Sequence, residues 1–215
     1  MLEKINRYYK EKIPFLFIID FLCEQPVIIA LSECDKQGIY YDIQGFGNLK
    51  NQSNLPKLKF EFELLDYLDY KKQFDQVQKE IMNGNTYLIN LSFESKIKTN
   101  LSLKEIFRYS KAKFKLLYKD EFVVFSPESF ITIKNNIIST CPMKGTMDAS
   151  IENARDLLLN DEKESAELAT ITDLLRNDLS LVAYNVTVEK FKHIDEIETN
   201  RKNLLQQQSV ITGKI

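Results

Sequence analysis

The order of the secondary-structure patterns is the feature that most constrains how this chain can fold. Short β-branched and aromatic runs recur in residues 1–60 and again in residues 122–140, and helical patterns follow from residue 151 onward. Runs of strands followed by runs of helices are typical of α+β folds with antiparallel sheets. The sequence has no GxGxxG or Walker-type loop, so a nucleotide-binding doubly wound fold is not indicated.

Local patterns predict several individual elements. Residues 66–83 form the clearest helical pattern, and Ser102 with Glu105 reads as a capping box that opens a short helix. Residues 86–93 alternate as a half-buried strand, and a last helix is predicted to start near Asn203. In the 66–83 helix the apolar residues recur every three or four positions and predict a stripe packed into the core. They are Tyr67, Tyr70, Phe74, Val77 and Ile81.

The segment 141–146 (CPMKGT) carries the most informative lysine. It places Lys144 in a loop bounded by proline and glycine, directly after the predicted strand 137–140. In a partly desolvated pocket a lysine amine can act as a nucleophile. In a polar turn it is only a surface charge, and the residues alone leave both interpretations open.

A run of carboxylates lies on the predicted helix that follows. Asp161, Glu164 and Glu167 are spaced by three residues, so their side chains share one helix face. Oxygen ligands of this kind suit Mg²⁺, which binds one or two carboxylates and keeps water or substrate oxygens in its other positions. A solvated acidic face is the alternative, and charge patterning alone favours it.

Composition excludes several functions. With 29 basic and 31 acidic residues the net charge is −2, so neither nucleic acid nor an anionic membrane is an expected partner. Three cysteines without CxxC spacing argue against a disulfide framework and fit a reducing cytoplasm. No apolar window approaches a membrane span. His193 has no serine or cysteine elbow near it in the sequence, which favours a surface or hydrogen-bonded histidine over a hydrolytic triad.

Four segments together resemble the chorismate-utilising enzymes, which include anthranilate synthase component I, aminodeoxychorismate synthase component I and the isochorismate and salicylate synthases. Residues 83–92 (NGNTYLINLS) resemble the family's G-x-x-Y-Q-x-N-L-[ST] strand, and residues 126–130 (SPESF) its S-P-E-x-F turn. Residues 161–178 (DEKESAELATITDLLRND) are similar to the D-x-K-E-x-A-E-H-x-M-I-V-D-L-x-R-N-D helix, the most specific signature. Residues 209–215 (SVITGKI) resemble S-x-V-x-G-x-L.

The lysine segment selects a branch of the family. P-[IM]-K-G-T with lysine resembles aminodeoxychorismate synthase, whereas anthranilate synthases carry alanine there. The resemblance implies that Lys144 is a nucleophile that attacks C2 of chorismate while the C4 hydroxyl departs, and that ammonia then adds at C4. It implies that Gly145 and Thr146 contact substrate and that Glu167 and Glu164 bind Mg²⁺. A glutamine amidotransferase is the implied source of ammonia, and p-aminobenzoate and folate synthesis the implied role.

Three positions depart from the family pattern. Leu88 occupies the position of the lysine base of the isochorismate and salicylate branch, which argues against water activation. Leu168 replaces the usual histidine that follows the metal glutamate. Gln206 falls where many members have histidine.

The resemblance also implies a fold and its extent. We expect two antiparallel sheets packed together with helices on the outside. Residues 1–215 would form a single domain that lacks the family's C-terminal third, with a β-rich part at 1–60 and a portion of the chorismate-binding core at 61–215. Such a chain is expected to bind Mg²⁺ and chorismate weakly or not at all by itself. Anthranilate synthesis and a non-catalytic fragment, or one half of a split protein, are the alternatives.

Overall fold

Antiparallel pairing builds every sheet of this chain. The computed structural model describes residues 1–215 except 53 and 55. The helices of the described residues are α1 (Leu2–Lys10), α2 (Tyr67–Met82), α3 (Leu103–Tyr109), α4 (Ala154–Leu159) and α5 (Glu162–Ser180). The strands are β1 (Phe15–Ile18), β2 (Val27–Ala30), β3 (Ile39–Ile43), β4 (Phe46–Gly47), β5 (Phe60–Phe62), β6 (Ile97–Thr99), β7 (Phe114–Tyr118), β8 (Phe122–Ser126), β9 (Thr132–Lys134), β10 (Ile137–Thr140), β11 (Met143–Asp148), β12 (Tyr184–Ile197) and β13 (Leu204–Lys214).

Two larger sheets and two hairpins result. One sheet has the order β4-β3-β7-β8. The other has the order β11-β13-β10-β9, with β12 paired to the opposite edge of β13. The hairpins are β1-β2 and β5-β6. The predicted combination of antiparallel sheets and helices is confirmed.

Local capping signals fix the helix starts as the sequence predicts. Asp66 caps α2 by accepting a hydrogen bond from the Leu68 amide at 2.8 Å. Ser102 and Glu105 form the complete capping box of α3. None of the helices in the described part of the chain combines the length and apolar character that a membrane span requires.

Helices α4 and α5 cover one face of the β11–β13 sheet. Ala154 and Leu158 of α4 pack against Ile194 and Leu205. In α5, Leu179 belongs to a second buried cluster with Ile138 and Ile211. This packing fixes the acidic start of α5 against the strand that carries Lys144.

Strand β13 corrects the helix predicted from Asn203. Its residues Gln206, Gln207 and Gln208 are at most 8% exposed and lie between β11 and β12. Glutamine is a good helix former, but pairing with strands on both sides overrides that propensity. The prediction was therefore wrong because it rested on local sequence alone.

Helix α2 corrects another expectation. Its predicted core stripe is not buried: no residue of α2 falls in the buried class, and Tyr67 is 68% exposed. Tyr70 contacts Phe93 at 5.7 Å between ring centroids. The predicted strand at 86–93 has no strand partner and forms no strand, because a strand needs a neighbour for its backbone hydrogen bonds.

Candidate functional site

Lys144 lies in a strand and not in the predicted loop. It is the second residue of β11 and pairs with Gln207 of β13. The register shifts between Lys144 and Thr146, which pairs with Gln206. Gly145 supplies the extra residue of this bulge and has φ +74°, a conformation that glycine adopts without steric penalty. The bulge therefore redirects the chain at the predicted nucleophile.

Gly145 also permits a close approach to the helices. A Cβ atom at this position would lie 3.0 Å from Glu164 Cβ and 3.0 Å from Leu158 Cδ1. Any larger residue would push β11 away from α5. The absence of a side chain at Gly145 thus brings the lysine strand against the predicted metal ligand.

The acidic start of α5 holds its two glutamates close together. Asp161 caps the helix, and its Oδ1 accepts a hydrogen bond from the Glu164 amide at 2.9 Å. Lys163 Nζ lies 3.3 Å from Glu164 Oε1 and 3.2 Å from Glu167 Oε1, and both glutamate side chains are 25% exposed. The two carboxylates raise the pKa of Lys163, Glu167 contributing first. One cation therefore already offsets their mutual repulsion.

These contacts bear on the metal prediction. Within the described residues no group of three or more His, Cys, Asp or Glu side chains is arranged to hold a metal ion. Glu164 and Glu167 nevertheless supply the one or two carboxylates that Mg²⁺ takes when substrate oxygens and waters complete its shell. The two carboxylates fit an ion that the protein binds weakly. Lys163 would have to move away from Glu164 and Glu167 for the ion to bind.

Thr146 and Gln206 connect the bulge to the neighbouring strand. Thr146 Oγ1 donates to Gln206 Oε1 at 2.8 Å, and Gln206 Nε2 donates to the Gly145 carbonyl at 3.0 Å. Both residues line a cleft of about 1190 Å³ whose walls come from both larger sheets. Glutamine thus forms the polar contact with Thr146 at a position where many family members carry histidine.

Glu128 is a site residue that sequence reasoning did not single out. Its Oε1 accepts a hydrogen bond from the Met143 amide at 3.3 Å. Desolvation raises the pKa of the Glu128 carboxyl, while the Met143 amide and the charge of Lys144 oppose that rise. A carboxyl group with a raised pKa therefore accepts a hydrogen bond from the residue that precedes the predicted nucleophile. The sequence feature that could have pointed to Glu128 is the SPESF turn at residues 126–130, which contains it.

His193 belongs to a polar network and not to a triad. Its Nε2 lies 2.9 Å from Gln208 Nε2 and 3.8 Å from Asp195 Oδ1. Gln208 also donates to Asp195. The hydrogen-bonded interpretation of His193 is confirmed. Leu168 is fully buried in α5, so it fills core space near the glutamates and offers them no polar atom.

Comparisons with known proteins identify similar chains. A PabA-like protein of Haemophilus influenzae is 44% identical over 214 residues, covering 100% of this chain and 65% of its own length. Aminodeoxychorismate synthase component 1 of Salmonella typhimurium is 32% identical over 127 residues, covering 54% of this chain and 28% of its own length. The chain therefore spans about two thirds of the first relative.

The fold and the family are shown by two further comparisons. The 2,3-dihydroxybenzoate-specific isochorismate synthase DhbC from Bacillus anthracis superposes with a TM-score of 0.64 at 17% identity, over 100% of this chain and 59% of that one. At that identity the likeness concerns the fold alone. The family model for chorismate binding enzymes matches residues 33–215. This chain therefore belongs to the chorismate binding enzyme family.

Proposed function

We propose that this chain serves as component I of an aminodeoxychorismate synthase, which converts chorismate and ammonia to 4-amino-4-deoxychorismate. The observation that carries the proposal is the β11 bulge next to Lys144, where the adjacent Gly145 approaches Glu164 of α5 and the adjacent Met143 amide donates to Glu128. The partial likeness to a known aminodeoxychorismate synthase supports the same assignment. Ammonia would come from a glutamine amidotransferase. A cytoplasmic role in p-aminobenzoate and folate synthesis stays a prediction.

The proposed reaction begins with the neutral amine of Lys144. Its lone pair forms a bond to C2 of chorismate, the ring double bonds shift, and the C4–O bond breaks. Glu128 in its protonated form donates its proton to the departing hydroxyl, which leaves as water. A covalent intermediate of this kind divides one difficult substitution into two easier steps.

In the second step ammonia replaces the lysine nitrogen on the substrate. Glu128, now a carboxylate, accepts the proton that the Lys144 nitrogen gained when it formed its bond to carbon. Ammonia adds at C4, the double bonds shift back, and the C2–N bond breaks while the proton returns to the departing lysine amine. Lys144 is thereby restored as the neutral amine, and Glu128 regains its proton from the ammonium group that forms at C4.

Glu164 and Glu167 are the residues that would hold Mg²⁺. The ion would neutralise a carboxylate of the substrate and fix its orientation. Thr146 and Gln206 line the cleft, whereas Lys144, Glu128, Glu164 and Glu167 are not among the described residues that line it. In this proposal Thr146 contacts the part of the substrate that reaches the cleft. Gly145 leaves the space in which strand and helix approach each other.

Trapping the adduct tests the assignment of Lys144. The chain is incubated with chorismate and Mg²⁺ without ammonia, and intact mass is compared for wild type and Lys144→Ala. Because weak binding is expected of this chain by itself, chorismate is supplied in large excess; we then expect the wild type to gain the mass of chorismate less one water, and the variant to gain nothing. Equal adduct in both proteins would refute the nucleophile.

Product analysis then separates aminodeoxychorismate from anthranilate synthesis. With ammonium present, anthranilate is detected by its fluorescence. Aminodeoxychorismate yields p-aminobenzoate only after a lyase is added. Anthranilate without lyase would overturn the proposed product while leaving the family assignment in place.

A second candidate function is one half of a split chorismate-binding protein. The observation that favours it is α2, an amphipathic helix on which no residue is buried. Its exposed stripe is a surface that another polypeptide would cover. Adduct formation is therefore also measured after adding the part of the Haemophilus influenzae relative that this chain does not match. Full turnover by the isolated chain would reject this candidate.

A further inference from the structure

Gln207 is a buried glutamine whose carbonyl oxygen has no partner. The residue is 0% exposed. Its Nε2 donates to the Leu158 carbonyl at 3.5 Å, which orients the amide. Its Oε1 is buried and accepts no hydrogen bond from the described residues. Because an unpaired buried acceptor is costly, this oxygen marks a place where a donor is expected.

The sheet register places a donor directly opposite. Gln207 of β13 is the ladder partner of Lys144 of β11. Side chains that are directly opposite in an antiparallel pair share a face, with Cβ atoms about 4.5–5.5 Å apart. Within the described part of the chain, no carboxylate lies within 4.0 Å of Lys144 Nζ, whereas Lys163 forms ion pairs with both Glu164 and Glu167.

The two neighbouring glutamines differ from Gln207 in their hydrogen bonds. Gln206 is engaged with Thr146 and the Gly145 carbonyl. Gln208, which is 5% exposed, contacts His193 at 2.9 Å. Among the three consecutive glutamines, the middle one is the one whose side-chain oxygen is both buried and unpaired, and it is the one opposite the lysine.

We propose that Gln207 is the positioning residue for Lys144, whose amine donates an N–H to Gln207 Oε1. The bond to Oε1 fixes one N–H of the neutral amine, so the lone pair is directed away from Gln207 and toward the reacting carbon. Leu158 anchors the other end of the amide, which makes the acceptor rigid. The role of this hydrogen bond in catalysis rests on the proposed function, whereas its formation would need no substrate.

Competitive acetylation tests the contact without chorismate. The folded chain is pulsed with a trace of acetic anhydride at neutral pH, and the acetylation of Lys144 is measured by peptide mass spectrometry relative to Lys163. The variants are Gln207→Met, which keeps the side-chain length and removes the acceptor, and Gln207→Glu, which replaces it with a carboxylate. Gln208→Met is the matched control, because it removes an equally buried glutamine from the adjacent position.

The two variants are expected to change Lys144 in opposite directions. Loss of the acceptor frees the amine from its hydrogen bond, so Gln207→Met accelerates its acetylation about three- to tenfold relative to Lys163. The carboxylate in Gln207→Glu binds the amine more strongly than the amide does and slows acetylation by a similar factor. Gln208→Met leaves the ratio at the wild-type value.

Three results would overturn the proposal. These are an unchanged ratio in both Gln207 variants, a change of the same sign in both, or an equal change in Gln208→Met. Thermal unfolding of each variant confirms that a folded protein is labelled, and Gln207→Glu decides the matter if Gln207→Met does not fold. Failure of this test leaves the chorismate adduct of Lys144 untouched, so the two hypotheses remain distinguishable.

Discussion

Gly145 and Glu164 approach so closely that a Cβ atom on the glycine would lie 3.0 Å from the Cβ atom of the glutamate. This contact joins the bulge of β11 to the start of α5. It is therefore the point at which the lysine strand and the predicted metal ligands are held together.

Substitution of Gly145 by alanine should destabilise the chain through this contact. The positive φ alone costs about 1–2 kcal/mol for a residue with a side chain, and the clash with α5 adds to that cost. Gly84→Ala is the matched control, because Gly84 also has φ +74° but nothing within 4 Å of its would-be Cβ. Urea unfolding should show a larger loss of unfolding free energy for Gly145→Ala. Equal losses in the two variants would contradict the close packing.

Local signals were sufficient to predict α2 and α3, whereas α1 was not predicted and the helix predicted from Asn203 was wrong. Asp66 as an N-cap and the capping box at Ser102 depend on residues within three positions of each other, so their geometry can be derived from the sequence. The acidic face of α5 was found in the same way. Residues 141–146 were singled out by Lys144 and its flanking proline and glycine, whereas residues 126–130 were indicated only through family resemblance.

Long-range pairing was the part that the sequence could not supply. Lys144 was predicted in a loop because Pro142 and Gly145 flank it. Only the pairing with Gln207, which is distant in the chain, makes the segment a strand. The position of Glu128 beside Lys144 is likewise set by a hydrogen bond to the Met143 amide across two sequence segments.

The ion pair between Asp148 and Lys202 should make stability depend on acid pH. Lys202 Nζ lies 2.5 Å from Asp148 Oδ2. This bond, followed by the Ser150 amide and hydroxyl, lowers the pKa of Asp148 from 3.8 to about 2. A lowered folded-state pKa contributes stability above 3.8 that disappears as pH falls toward about 2. The difference in unfolding free energy between wild type and Asp148→Asn should shrink across that window.

A second variant assigns the effect to its cause. Lys202→Met removes the first contributor to the shift while leaving the carboxylate in place. Its acid unfolding curve, followed by circular dichroism, should lie between those of wild type and Asp148→Asn. If the acid unfolding curve of Lys202→Met coincided with that of the wild type, Lys202 would not be the cause of the lowered pKa of Asp148.

Lys115 should make stability rise with pH as well, but in the alkaline range. Its side chain is 0% exposed, and Nζ donates to the Phe107 carbonyl at 2.9 Å and the Ser110 carbonyl at 3.2 Å. Burial lowers the pKa of Lys115 from 10.5, while Asp42, 3.8 Å away, opposes that shift. Between the lowered pKa and 10.5 the unfolded chain binds more protons than the folded one, so stability rises with pH.

The measurement compares denaturant unfolding from neutral pH to the ordinary lysine pKa of 10.5. Relative to Lys115→Met, the wild type should gain unfolding free energy as pH rises. The control is Lys36→Met, which removes a lysine whose side chain is 71% exposed and should leave the wild-type slope intact. Parallel curves for wild type and Lys115→Met would show that burial does not perturb this amine.

Replacement of Glu128 by glutamine should separate proton transfer from structure at the proposed active site. The amide carbonyl of glutamine can still accept the hydrogen bond from the Met143 amide, so thermal unfolding should change little. It has no acidic proton to donate to the departing hydroxyl, and the loss of a positioned general acid slows a reaction by about 10²–10⁴-fold. The rate at which Lys144 gains chorismate mass should fall by that order, whereas acetylation of Lys144 by acetic anhydride, which needs no acid, should continue. An unchanged rate of adduct formation in Glu128→Gln would remove Glu128 from the mechanism and leave the hydroxyl to depart by another route.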